Sequence, residues 1–284
     1  MIVDTFPLGY GPEVLLLRLR TLSGLVDRHV IVELDATFSG KEREPLWPSL
    51  VAHDGRFAPF ADLVEHYWLH VPRSMSPWER EEWTRSQTLD AVRGLGADDP
   101  LVILGDADEI PHPGAVRIVQ RRGYDRARLY GRYHEWYLDL SAKGGPYIWE
   151  HRQPIMFRLS AVGSEDGASL RARQWHGSDS VVHQIGYPGT RRQAFAGWHF
   201  TLQGGAAECA AKLRSTAHTE LSWMREGRVQ DLIDRKVDIL DRCPLERVHL
   251  SALPAAVFED MATFGPMLTD EGREEIDIAR DDGL

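Results

Sequence analysis

The sequence of 284 residues predicts an α/β fold built on a mostly parallel central sheet. Along residues 1–105, short apolar segments typical of buried strands alternate with segments typical of helices. This order is characteristic of parallel sheets with crossover helices. The clearest buried strand, 100–105, leads directly into a group of acidic residues. In such sheets ligands bind beyond the carboxyl ends of the strands, so the pattern also indicates where a site would lie.

Four strands and two helices are predicted in this first part. The strands, rich in β-branched and other apolar residues, are 2–6, 29–33, 64–71 and 100–105. The first helix, 13–23, has apolar residues at helical spacing and ends near Gly24, a favourable C-terminal cap. The second helix, 78–94, begins beside Pro77 and ends at Gly94.

The second part of the chain is less regular. The aromatic-rich segment 128–140 predicts one or two strands, and 154–159 predicts another. Two helices are predicted at 208–225 and 230–240. The residues after 240 are expected to form a surface tail, because aspartates are frequent near the end of the chain. No linker divides the sequence, so we expect a single domain over 1–284.

Composition excludes some classes of function. A formal net charge of −10 argues against a general nucleic-acid binder, because the phosphate backbone requires a basic surface. Two cysteines, Cys209 and Cys243, are too few for a disulfide framework or a structural zinc site and fit a reducing compartment. No apolar run is long enough for a signal peptide or a membrane span, so a cytoplasmic protein is expected.

Acidic residues directly follow the central predicted strand, in the segment Gly105-Asp106-Ala107-Asp108-Glu109. Positions two apart in extended backbone face the same side, so Asp106 and Asp108 can point into one site. Three carboxylates so close together repel one another unless a cation lies between them. Mn²⁺ or Mg²⁺ with a bound diphosphate would satisfy them. The alternative interpretation is an ordinary acidic turn, which is common after strands.

Other candidate residues lie far along the chain. His199, in the segment 197–200, has aromatic and glycine neighbours and could complete a metal site, although a lone histidine is more often a core residue. Lys212, Ser215 and His218 have the spacing of one helix face and could contact an anionic ligand, or simply face solvent. Several arginines could neutralise a diphosphate or balance surface charge. They are Arg152, Arg158, Arg171, Arg173, Arg191 and Arg192.

Taken together, these segments resemble glycosyltransferase family 17, the family of the enzyme that adds bisecting N-acetylglucosamine to N-glycans. The resemblance covers about residues 2–225 in ordered segments. Its most specific parts are 105–111, Gly-Asp-Ala-Asp-Glu-Ile-Pro, and 196–200, Ala-Gly-Trp-His-Phe. The other matching segments are 4–6, 18–19, 26–27, 30–33 and 37–41, and the single matching residues are Trp78, Arg80, Glu81, Arg85, Lys212, Ser215, His218 and Glu220.

The resemblance implies a fold of the GT-A type and a hexosyl- or N-acetylhexosaminyltransferase. It implies a nucleotide-binding half at about 1–115, an acceptor and metal-completing half at about 116–225, and C-terminal helices and tail at about 226–284. The reaction would be inverting, with a nucleotide sugar as donor, a UDP-sugar first among the candidates, and a hydroxyl acceptor on a glycan, protein or natural product. Without a recognisable anchor, a soluble bacterial or viral member is expected.

Site residues follow from the same resemblance. Asp108 is the expected metal ligand, His199 completes the metal site, and Asp106 and Glu109 lie beside it. Donor-binding residues are expected among Asp106, Arg85, Lys212, His218, Asp4 and Glu33. The catalytic base, which removes the acceptor proton, is expected among Glu135, Asp139 and Asp179.

The sequence is also compatible with two other classes of protein. A nucleotidyltransferase also places carboxylates and Mg²⁺ at strand ends, but it would need a phosphate loop that residues 9–13 represent poorly. A carbohydrate-binding protein without turnover would bind its ligand without metal. Release of pyrophosphate would favour the first class, and binding that is unaffected by Asp108→Ala would favour the second.

Overall fold

The computed structural model describes residues 1–143, 154–172, 182–185 and 195–281. Twelve strands are found in these ranges: β1 Ile2–Pro7, β2 Arg28–Leu34, β3 Val64–Leu69, β4 Leu101–Leu104, β5 Glu109–Pro111, β6 Arg126–Leu129, β7 Gly131–Trp136, β8 Leu140–Ala142, β9 Ile155–Arg158, β10 Val182–Ile185, β11 Gly197–Gln203 and β12 Leu245–Arg247.

Eleven α-helices occur in the same ranges. They are α1 Pro12–Thr21, α2 Leu46–His53, α3 Pro77–Gly94, α4 Pro113–Arg122, α5 Leu159–Val162, α6 Gly167–Ala172, α7 Gly205–Leu213, α8 Glu226–Asp234, α9 Ala255–Glu259, α10 Met261–Phe264 and α11 Asp270–Asp281. Short 3₁₀ helices span Ala58–Leu63, Thr219–Leu221, Leu250–Ala252 and Gly265–Met267.

The central sheet, within the described residues, has the strand order β10-β6-β9-β4-β1-β2-β3. Neighbouring strands are parallel except at β9, which runs antiparallel to both β4 and β6. The predicted α/β class with a mostly parallel sheet is therefore confirmed. Strands from both sides of residue 115 form this sheet, so the two expected halves share it.

A second sheet, again among the described residues, has the order β12-β8-β7-β11-β5. Strand β11 pairs in parallel with β7 and antiparallel with β5. Because β5 follows the acidic segment after β4, this pairing joins the end of the central sheet to the later part of the chain. It thereby brings residues near 108 and near 199 together.

Apolar side chains cover both faces of the central sheet. On one face, Val30 and Val102 belong to a cluster with Leu89 and Val92 of α3. On the other face, Ile31 belongs to a cluster with residues of α1 and of the C-terminal region. Removing this apolar surface from water contributes about 25 cal/mol per Å² to folding. The sheet is thus covered by helices on both faces, as a parallel sheet requires.

The expectation that the residues after 240 form a surface tail is wrong. Val257, Phe264 and Leu268 are fully buried, in the same cluster as Leu15 and Leu16 of α1. Aspartates near the end of the chain suggested exposure, but the apolar residues between them cover α1. Local composition does not show this, because the partner surface lies at the opposite end of the sequence.

The helix predicted at 208–225 is also corrected. Helix α7 ends at Leu213, and the Ser215 hydroxyl donates to the carbonyl of Lys212. Serine and threonine side chains that bond to nearby backbone compete with helix continuation. The next helix, expected at 230–240, is α8 at Glu226–Asp234. In the described part of the chain, no helix combines the length and the apolar character needed to cross a bilayer.

Candidate active site

A cavity of about 270 Å³ lies at the carboxyl ends of the parallel strands. Segments far apart in the sequence form its walls: the loop after β1, the end of β2, helix α3, the acidic segment, strand β11 and the residues after α7. Clefts at this edge of α/β sheets are the usual ligand sites of the class. The cavity therefore lies where the sequence predicted a site.

Gly105 allows the acidic segment to turn tightly at the end of β4. A Cβ atom at this position would lie 2.9 Å from Oε2 of Glu109 and 2.9 Å from Cβ of Pro154. The backbone N–H of Asp106 donates to Oε2 of Glu109 at 2.7 Å. Glycine thus lets the Glu109 side chain fold back and hold the turn in place.

Asp106 is held by two arginines. Its Oδ2 accepts from Nη2 of Arg85 at 2.7 Å and from Nη2 of Arg171 at 2.9 Å. Burial alone would raise the pKa of Asp106, but the charges of Arg171 and Arg85 lower it far below its ordinary value. Arg171 also pairs with both oxygens of Glu109. Asp106 and Glu109 are therefore neutralised by guanidinium groups.

Asp108 has a different environment. Its Oδ2 accepts from Nζ of Lys212 at 3.0 Å, and its Oδ1 lies 3.6 Å from Nε2 of His199. Burial would raise the pKa of Asp108, whereas Lys212 and His199 lower it below its ordinary value. All three residues line the cavity. The predicted pairing of Asp108 with His199 is thus present in the geometry, and Lys212 joins it.

Strand pairing explains why His199 reaches the acidic segment. His199 is in register with Glu109 in the antiparallel β11–β5 pair, and the N–H of Phe200 donates to the carbonyl of Asp108 at 2.8 Å. The strands can approach so closely because residue 197 is glycine. A Cβ atom there would lie 2.4 Å from the carbonyl oxygen of Ile110.

A divalent cation fits only part of the expected ligand set. Asp108 and His199 present an oxygen and a nitrogen 3.6 Å apart, a separation that two ligands of one ion can span at bond lengths of about 2.1 Å. Asp106 and Glu109 already have arginine partners. Within the described residues, no group of three or more histidine, cysteine, aspartate or glutamate side chains is arranged to hold a metal. Asp108 and His199 therefore fit a metal site whose remaining ligands would come from a bound diphosphate and water.

Asp4 does not face the cavity, contrary to its expected role in donor binding. Its side chain is fully buried, and Arg18 donates to Oδ1 at 2.5 Å and to Oδ2 at 2.8 Å. Arg18 Nη1 also donates to the carbonyl of Glu109 at 2.7 Å. Asp4 therefore cannot contact a donor in the cavity directly. Asp4 instead holds Arg18, which supports the backbone of the acidic segment.

Glu33 is likewise buried and does not line the cavity. Its carboxylate accepts from the backbone N–H groups of Leu46 and Trp47 and pairs with Arg43 and His66. These contacts anchor the start of α2. The expected donor contact is therefore wrong in this geometry, because both carboxylate oxygens are used within the protein.

Two of the three base candidates, Glu135 and Asp139, do not line the cavity. Glu135 is fully buried and accepts from the Tyr133 hydroxyl and from the N–H of Ile239, and burial raises its pKa to about 8. Asp139 is fully buried and accepts from the N–H and hydroxyl of Thr269. Both fix the fold of the second sheet, so neither can reach an acceptor. Asp179 lies outside the described residues.

Other expected residues do reach the cavity. Lys212, Ser215 and His218 all line it, although they do not share a helix face, because α7 ends before Ser215. Arg85 lines it too. Of the arginines considered, Arg171 reaches the acidic segment and Arg158 bonds to the carbonyl of Asp99 instead. The other four, Arg152, Arg173, Arg191 and Arg192, lie outside the described residues.

Glu81 is a cavity residue that the sequence did not single out as part of the site. Its side chain is 14% exposed, and its Oε1 lies 2.6 Å from Nη2 of Arg85, one helical turn further along α3. The spacing of an acidic and a basic residue four positions apart is common on exposed helices. This spacing could have identified the Glu81–Arg85 pair from the sequence. It does not indicate that this face of α3 lines a cavity.

Part of the chain matches a known protein family. Residues 2–129 match the sequence profile of glycosyltransferase family 17, which confirms the resemblance over that range. The matched residues include β1, β2, α3 and the acidic segment. The match supports glycosyltransferase activity, with a sugar donor and an acceptor as ligands. No curated protein matches the chain.

Several solved structures are similar to the chain, among them one at low identity. It is the crystal structure of 4-diphosphocytidyl-2C-methyl-D-erythritol synthase from Anaerococcus prevotii DSM 20548, which is 12% identical over 65% of this chain and 86% of that chain, with a TM-score of 0.34.

Proposed function

We propose that the protein is an inverting glycosyltransferase that moves a sugar from a nucleotide-sugar donor to a hydroxyl acceptor. The observation that carries the proposal is the placement of Asp106, Asp108 and Arg85 with His199 and Lys212 around one cavity. The acidic segment and Arg85 lie in the range matched by the family, whereas His199 and Lys212 lie beyond it. The second part of the chain thus supplies the other side of the same site.

The diphosphate of the donor is assigned to the end of the cavity near Arg85 and Lys212. Each of these cations now pairs with a carboxylate, Arg85 with Asp106 and Lys212 with Asp108. An incoming diphosphate would compete for their N–H groups and gain charge-assisted hydrogen bonds. Because the cavity is partly enclosed, these bonds would be stronger than in open water.

Asp108 and His199 would hold a Mn²⁺ or Mg²⁺ ion brought with the donor. Such an ion would stabilise negative charge on the departing nucleotide diphosphate. Arg171 would stabilise the conformation of the acidic segment, because it bonds to both Asp106 and Glu109. It does not line the cavity itself. The UDP-sugars are the first donors to test.

A thermal-shift panel of nucleotide sugars, each with and without Mn²⁺, tests this function. We expect one donor to raise Tm only when the metal is present, and Asp108→Ala to abolish the shift. Asp62→Ala, an exposed aspartate outside the cavity, is the matched control and should retain it. The identity of the released product, nucleoside diphosphate or pyrophosphate, then separates transfer of a sugar from transfer of a nucleotidyl group. Absence of a shift with every nucleotide sugar would contradict the proposal.

A further inference from the structure

Three carboxylates line the cavity among the described residues: Glu81, Asp106 and Asp108. Asp106 is held by Arg85 and Arg171, and Asp108 lies against Lys212 and His199 at the expected metal position. Both are therefore committed to binding cations. Glu81 differs from them, because its one ion-pair partner in the described part of the chain is Arg85, whose Nη2 lies 2.6 Å from Oε1.

The position of Glu81 along α3 is informative. Trp78, Glu81 and Arg85 are spaced i, i+3 and i+7, so they follow one face of the helix. Arg85, at the inner end, contacts Asp106. Trp78, at the outer end, is 50% exposed, and its ring centroid lies 4.6 Å from that of His218, a residue that lines the cavity. Glu81 thus lies between the expected diphosphate end and the rim through which an acceptor would enter.

We propose that Glu81 is the general base of the transfer reaction. The proposal rests on the proposed function. The Glu81 carboxylate takes the proton of the acceptor hydroxyl as that oxygen forms a bond to the anomeric carbon of the donor sugar. The bond from this carbon to the diphosphate oxygen breaks, and its electron pair leaves with the nucleoside diphosphate. Glu81 then releases the proton to water.

The surroundings of Glu81 suit this role. Burial raises its pKa above the ordinary value, and the charge of Asp106 raises it further, while Arg85, His218 and Arg171 oppose the rise. These groups lie on α3 itself, on the acidic segment, on the turn after α7 and on α6. A carboxylate with a raised pKa accepts a proton more readily than an exposed one. Arg85 also orients the carboxylate through Oε1.

A structural role through Arg85 is the competing explanation, so the test must separate it from proton transfer. The comparison uses wild type, Glu81→Gln and Glu82→Gln, a neighbouring exposed carboxylate outside the cavity. The donor is the nucleotide sugar that shifts Tm of wild type, and water and sodium azide are the two nucleophiles. Azide has no proton to lose, so its attack needs no base.

We expect Glu81→Gln to keep the donor-induced rise in Tm and to lose about 10²–10⁴-fold in nucleoside diphosphate release to water. Azide should restore release and give a glycosyl azide, while Glu82→Gln behaves as wild type. The rate for wild type with water should rise with pH as Glu81 ionises. This rise should be absent in Glu81→Gln and present in His218→Gln, whatever the absolute rate of that variant.

Three results would overturn the assignment. Unchanged release by Glu81→Gln, a loss that azide does not restore, or loss of the donor-induced shift would each show that Glu81 is not the base. Failure of the proposed function looks different, because then wild type itself shows no shift with any nucleotide sugar, and the assignment of Glu81 fails with it.

Discussion

Nε2 of His199 lies 3.6 Å from Oδ1 of Asp108, although the two residues belong to strands and loops from opposite halves of the chain. The backbone explains the distance, because the N–H of Phe200 donates to the carbonyl of Asp108. The pair is therefore fixed by strand pairing and not by side-chain flexibility. It links the acidic segment of the central sheet to the second sheet at the cavity wall.

Replacing His199 by alanine should weaken Mn²⁺ binding in the presence of the donor or of UDP. Removal of one of two protein ligands should cost at least about 1.4 kcal/mol, or tenfold in affinity. Titration of Mn²⁺ followed by electron paramagnetic resonance measures the free ion directly. His53→Ala, an exposed histidine on α2, is the control. Equal Mn²⁺ affinity in both variants would exclude His199 as a ligand.

Replacing Asp4 by alanine should destabilise the fold by about 3–5 kcal/mol, because it leaves the fully buried Arg18 charge without its partner. Urea denaturation at neutral pH measures this loss, with Asp62→Ala expected to change the free energy of unfolding by less than about 0.5 kcal/mol. A loss no larger than that of the control would show that the buried pair does not contribute to stability.

The same pair predicts a pH dependence. Burial would raise the pKa of Asp4, but Arg18 and His29 lower it from 3.8 to about 2 in the folded protein. A lowered carboxyl pKa stabilises the fold above the unfolded value, and this contribution is lost as pH falls from 3.8 through about 2. The difference in unfolding free energy between wild type and Asp4→Asn should therefore shrink across this interval. A constant difference would contradict the assignment.

Glu135 should give the free energy of unfolding the opposite dependence on pH. Burial raises its pKa from 4.5 to about 8, so the folded protein holds a proton that the unfolded chain releases above pH 4.5. The free energy of unfolding should then fall as pH rises from 4.5 to 8. Glu135→Gln, which has no proton to lose, should not show this contribution. Urea denaturation of both proteins at several pH values in this interval measures the difference, and parallel profiles would argue against a buried neutral Glu135.

Gly167→Ala should disturb the site without changing any residue that lines it. A Cβ atom at residue 167 would lie 2.2 Å from the carbonyl oxygen of Arg85, so α6 must move away from α3. Such overpacking costs about 1–3 kcal/mol. Because Arg171 is on α6, its contacts with Asp106 and Glu109 should weaken, and donor binding with them.

Gly55→Ala is the matched control, since its Cβ atom meets nothing within 4 Å. Thermal unfolding and the donor-induced Tm shift give the two readouts for both variants. A destabilised Gly167→Ala protein with an unchanged donor-induced shift would show that Arg171 does not shape the site.

The chain of amino acids by itself determined the class of fold and predicted the acidic segment of the candidate site. Alternating strand and helix segments predicted the parallel sheet, because a buried parallel strand must be apolar on both faces. The placement of Asp106 and Asp108 directly after the strand ending at Leu104 predicted carboxylates at the ligand edge of that sheet. Both are local properties, which neighbouring residues are sufficient to specify.

Only the tertiary structure decided which groups each carboxylate contacts and how deeply it is buried. The sequence shows charged groups but not which of them meet, and the energy of a charge depends on burial and on partners distant along the chain. Arg18 pairs with Asp4, and Arg171 pairs with Asp106, through contacts between separate elements. The same packing buries Glu135 and Asp139 away from the cavity, contrary to their expected role as base, and places Glu81 at the cavity wall.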